Sequence, residues 1–69
     1  MKVTVFDDGD EMAVKFDYSQ KFNRIILRIP PEFRKWDEKR NLWVVDHDHW
    51  PYVEESLADA GAIFHVKDP

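Results

Sequence analysis

The sequence predicts a small α+β domain, a β-β-α-β-β-α-β sandwich with two helices packed on one face of a largely antiparallel sheet. Three observations carry this. Period-2 apolar runs come in pairs around turn residues, at Lys2 to Phe6 with Met12 to Phe16, and at Phe33 to Trp36 with Leu42 to Val45. Two stretches follow the helical period instead: Phe22, Ile25, Ile26 and Ile29, then Val53, Leu57 and Ala60. Finally, 69 residues with no cysteine but ten aromatics make one domain, residues 1–69 without a linker. Packing must hold such a chain, because it can form neither disulfides nor thiolate metal sites.

Each element has its own signal. Val3 and Val5 share one face of the first strand, and Met12, Val14 and Phe16 one face of the second. Between them, Asp7-Asp8-Gly9-Asp10-Glu11 contains the Asp-Gly step of a hairpin. Asp17 with Gln20 three residues later is a capping-box pattern. The first helix should follow, with Lys21, Arg24 and Arg28 outward, and Pro30-Pro31 should end it. In the second hairpin Trp36 and Trp43 become near cross-strand neighbours. The second helix should start at Asp48 or Trp50, with an aspartate capping it and Trp50 as a staple. Pro51 suits a first turn, Glu54 and Glu55 suit the macrodipole there, and Gly61 suits the C′ position. Ile63, Phe64 and Val66 make a last strand before a Lys67-Asp68-Pro69 tail. One core is expected from Phe16, Phe22, Ile26, Ile29, Val44, Val53, Leu57 and Phe64.

Charge is unevenly placed along this acidic chain, whose net charge is −4. Residues 19–45 hold seven Lys/Arg and three Asp/Glu, a net of +4, between flanks of −3 and −5. No apolar run nears the ~20 residues of a membrane span. Lys2 and a strand pattern follow Met1, rather than the apolar run of a signal peptide. The expectation is a cytoplasmic protein with no membrane partner.

Catalytic patterns are missing. There is no cysteine nucleophile, Ser19 and Ser56 lie in no nucleophile elbow, and the acidic loop lacks EF-hand spacing. In Asp46-His47-Asp48-His49 the two histidines could share a side, with His65 as a third ligand. A helix entry with exposed histidines explains the same residues, so no metal is expected. The chain reads as non-enzymatic, without cofactor or small-molecule substrate.

Ile29-Pro30, Arg34, Trp36-Asp37 and Trp43-Val44-Val45 are also the residues through which the chain resembles the HARP domain. That module precedes the motor of Swi/Snf-type annealing helicases, and similar segments occur in short phage and bacterial proteins. The likeness covers roughly residues 12 to 66. It implies recognition of forked or partly single-stranded DNA. No Walker-type Gly-Lys-Ser/Thr is present, so it implies binding and not remodelling.

The residues themselves give a compatible candidate surface. Arg24, Arg28, Arg34, Lys35, Lys39 and Arg40 could follow phosphates, while Trp36 stacks on a base. The same tryptophans could simply cap a small core. The leading expectation is therefore a nucleic-acid-binding module. The alternative is a phage-type protein-interaction factor, or a DNA mimic, that binds a host protein through acidic residues Asp7 to Glu11 and Asp46 to Asp59.

Overall fold

The computed structural model describes residues 1–67; of the expected tail, Asp68 and Pro69 lie outside them. The elements in order are strands β1 (Lys2–Asp7) and β2 (Glu11–Lys15), helix α1 (Gln20–Leu27), strands β3 (Arg34–Asp37) and β4 (Leu42–Asp46), helix α2 (Trp50–Asp59) and strand β5 (Ile63–Lys67). They form one five-stranded sheet in the order β3-β4-β2-β1-β5. Every pairing is antiparallel except β1 with β5. The α+β architecture is the expected one.

Turn chemistry fixes the registers. Gly9 adopts φ +88°, where a side chain is disfavoured, and its N–H donates to Asp7 Oδ1 at 3.0 Å. This sets Asp7 opposite Met12 and Thr4 opposite Lys15. Asn41 takes the left-handed conformation at φ 57° in the β3–β4 turn. Asp37 Oδ1 accepts the N–H groups of Lys39 and Arg40 there, which brings Trp36 directly opposite Trp43. After α2, the N–H of Ala62 bonds Leu57 O and that of Gly61 bonds Ala58 O, a Schellman closure with Gly61 at φ +99°.

Alternation along the strands defines two faces. Val3, Val5, Met12, Val14 and Val45 meet Phe22 and Ile26 of α1, and Val53 and Leu57 of α2, in one core. Val44 does not belong to it. The pleat that turns Trp43 and Val45 toward the helices turns Leu42 and Val44 away, into a separate cluster with Ala13 and Phe6. Phe16 and Phe64 are half-buried and pack against the main core rather than within it. Ile29 lies past the end of α1 but is still buried.

No helix covers that second cluster, so side chains seal it. Lys15 donates to Arg40 O at 3.2 Å. Lys35 pairs with Glu11 at 3.8 Å, and Arg40 reaches Asp8 at 3.6 Å. Aliphatic stems held this way cover apolar surface while their charged ends stay wet, which accounts for burial of Ala13, Leu42 and Val44.

The caps of both helices differ from expectation, although α2 does start at Trp50. Ser19, not Asp17, caps α1: its Oγ accepts the Phe22 N–H at 3.2 Å. Residues 16–18 are spent turning off β2, with Phe16 edge-on to Phe22 at 5.3 Å, so Gln20 is the first helical residue. Neither Asp46 nor Asp48 caps α2 with its side chain. A 3-10 turn, His47–His49, runs straight into that helix, and its His47 carbonyl accepts the Trp50 N–H. A second such turn, Pro31–Phe33, precedes β3, which therefore begins at Arg34 and not Phe33.

Ile26→Ala should cost ~2–5 kcal/mol in a denaturant melt, because Ile26 is fully buried between helix and sheet. Adding Val44→Ala should be additive to within about 0.5 kcal/mol, since the two side chains belong to different clusters. A larger coupling would mean that the sheet faces are not independent.

Candidate nucleic-acid interface

Where the β3–β4 hairpin meets α1, the helix side of the sheet is incompletely covered. Trp36 and Trp43 lie edge-to-face at 5.3 Å and 70°. Trp43 is half-buried, and the Arg34 guanidinium sits 5.9 Å above its ring. Its indole Nε1–H donates to Asn23 Oδ1 of α1 at 3.1 Å. Trp36, on the edge strand, stays 46% exposed. Both rings line a cleft of about 280 Å³, completed by Phe16, Tyr18, Asn23 and Asn41. Tyr18 is 82% exposed.

The cleft lies at one end of the strands. Lys15 ends β2 and Lys2 starts β1, while Thr4 pairs with Lys15. Lys2 and Lys15 line a neighbouring pocket that shares Phe16, Tyr18 and Asn41 with the cleft and also holds Asp17. Asp10, Glu11 and Asp46 lie at the opposite end, where Glu11 pairs with Asp46 and the His47 N–H bonds Asp10 O.

The expected basic surface is divided. Arg24 and Arg28 line a groove between the helices with Lys21, Tyr52, Ser56 and Asp59, on the flank of α1 away from the cleft. The Tyr52 hydroxyl there donates to Ile25 O at 3.1 Å. Lys21, Arg24, Arg28 and Lys39 make no ion pair among the described residues. Arg34 is occupied internally, its Nε donating to Ile29 O at 2.8 Å. Lys35 points to the sheet face opposite Trp36. Arg40 is held by Asp37, with Nε 2.8 Å from Oδ2, and by Asp8. That contact, chiefly the Arg40 side-chain hydrogen bond, holds the Asp37 carboxyl below the usual carboxylate range. Its contribution to the turn is present above the unfolded carboxylate pKa and fades as pH falls through the lowered value.

Of the expected binding residues only Trp36 lines the cleft, beside Tyr18, Asn23 and Asn41, which the sequence reading did not single out. Tyr18 and Asn41 carried a usable signal, an aromatic just before a helix cap and an Asn at a hairpin tip. Asn23 carried none, because its role depends on a tryptophan twenty residues away.

The histidines lie apart: His65 is on β5 opposite Thr4, while His49 stacks on Phe33 with Nδ1 3.6 Å from Asp46. Among the described residues no three His, Cys, Asp or Glu side chains are grouped to hold a metal ion. No helix among them is long and apolar enough to cross a membrane. Comparison with protein-family models, curated proteins and solved structures found no match.

Asn23→Leu should cost ~1–3 kcal/mol, because the Trp43 N–H loses its acceptor. Trp36→Ala should cost only ~0.5–1.5 kcal/mol, the scale of an aromatic pair. Urea melts of the two variants give the order, and a greater loss for Trp36→Ala would make that ring a core residue.

Proposed function

We propose that this domain is a non-enzymatic module that binds single-stranded or forked nucleic acid. The exposed Trp36 ring at the mouth of an aromatic cleft is the observation that carries the reading. A buried core pair would hide both indoles, whereas here one is anchored and the other is open. An unstacked base would enter against Trp36 and Tyr18, and such stacking is worth ~1–3 kcal/mol per base. Lys2 beside the cleft, and Arg24 and Arg28 across α1, would meet the flanking phosphates. Arg34 and Arg40, occupied within the protein, move from ligand contact to scaffold. The HARP-like pattern at Trp36-Asp37 and Trp43-Val44-Val45 points to the same class of ligand. Part of the acidic charge, Asp10, Glu11 and Asp46, lies at the far end of the strands, and Asp37 at the near end is paired with Arg40, while Asp17 stands beside Lys2.

A protein partner is the second reading. It draws on that acidic end and on the edge strand β5, where Ile63 is 64% and Val66 71% exposed.

Fluorescence anisotropy with a labelled single-stranded oligonucleotide tests the proposal. Three phosphate contacts, from Lys2, Arg24 and Arg28, should give a slope of log K on log salt of roughly −2, at about −0.7 per contact. Removing Arg24 with Arg28 should flatten it by more than about one unit. Trp36→Ala should weaken binding and leave the slope unchanged, since stacking releases no counterions. Absence of binding at low salt to single-stranded, forked or duplex DNA and to RNA would transfer the case to a protein partner.

A further inference from the structure

Inside the cleft, one polar group has its orientation fixed by chemistry. An indole N–H only donates, so the Asn23 atom 3.1 Å from Trp43 Nε1 is the carbonyl oxygen. The Asn23 amide nitrogen must then point the other way. It makes no hydrogen bond among the described residues, and Asn23 lines the cleft. Asn23 is also rigid for a surface residue. It is half-buried, and its own backbone N–H bonds Ser19 O at 2.9 Å in the first turn of α1. The cleft thus has a stacking wall, Trp36, beside one amide, Asn23, whose orientation is fixed by its bond to Trp43. Asn41 lines it too, but among the described residues no hydrogen bond of its side chain fixes that amide.

At about 280 Å³ the cleft falls just below the range of pockets for drug-sized ligands, a scale suited to one planar ring. Resting on the nucleic-acid reading above, we infer that Asn23 is a specificity-determining residue that selects the inserted base. Its N–H donors favour a pyrimidine bearing a carbonyl at C4, as in thymine or uracil. Cytosine entering by the same edge is disfavoured, because its 4-amino group would set donor against donor. Stacking alone makes no such distinction, since every base has a π-face.

The test compares oligothymidylate with oligocytidylate of equal length, so that phosphate contacts cancel in the affinity ratio. The wild-type protein should favour thymidylate on the order of tenfold, the scale of one good base-edge pair. Asn23→Asp has the same shape, still accepts from Trp43, and exchanges the donors for acceptors. Its added charge weakens both oligonucleotides alike, but the ratio should fall to one or below. A ratio of one or less in the wild type overturns the inference by itself, and so decides the matter even if the variant does not fold. A wild-type preference that survives unchanged in Asn23→Asp also overturns it, and leaves nucleic-acid binding standing. Failure of the wild type to bind either oligonucleotide overturns this inference, and the nucleic-acid reading falls with it when forked and duplex DNA and RNA are not bound either.

Discussion

The half-buried indole of Trp43 constrains the rest of the structure. Its N–H can only donate, and a buried donor left unpaired costs about as much as a lost hydrogen bond. Asn23 supplies the acceptor, and this bond ties the outer hairpin to α1 across a separation of twenty residues. Trp43 faces the helices because Val14 lies opposite it and Val45 follows two residues later on the same side. Trp36 must share that side, since the turn pairs it directly with Trp43. It lies on the edge strand, however, where helix cover is incomplete. One anchored indole beside one exposed indole is therefore a consequence of register, and the cleft follows from it.

Placing both helices on one face has a second consequence. The opposite face still carries Ala13, Leu42 and Val44, which must leave water. Lys15, Lys35 and Arg40 cover them, and their charges are met by a carbonyl, Glu11, Asp37 and Asp8. Exposed ion pairs of this kind are worth at most about 1 kcal/mol each. Their value here is that they hold long stems over apolar surface. Much of the basic charge that composition offers to a ligand is thus engaged in the fold. What remains lies at the start of β1 and along α1.

Local patterns in the sequence were read well. The two hairpins, the two helical stripes, the Gly61 ending and the Trp36–Trp43 apposition all rest on interactions within a few residues or across one turn. Features decided by tertiary geometry were not legible. Val44 and Val45 are both apolar and adjacent, and only the pleat set by β2 shows which one faces the helices. Asp17 had a good capping pattern, yet the chain needed residues 16–18 to swing Phe16 onto Phe22, which passed the cap to Ser19. For the site, Trp36 was legible as an aromatic among charges, but its partners were not. Tyr18, Asn23 and Asn41 come from a loop, a helix and a turn, and they converge only when the sheet is assembled. The basic run in residues 19–45 is contiguous in sequence, but strand alternation and the curve of α1 divide it in space.

On the proposed function, nucleic acid docks at this cleft, with Trp36 as ligand contact and Trp43 as anchor. The three tryptophans give three indole N–H signals in a nitrogen–proton correlation spectrum. On titration with oligothymidylate, the Trp36 signal should move most. That of Trp43, bonded to Asn23, should be the slowest of the three to exchange with solvent. That of Trp50, packed edge-on against Phe64 at 5.9 Å, should stay in place. A shift of Trp50 with Trp36 unmoved would contradict the account and place the ligand elsewhere on the domain.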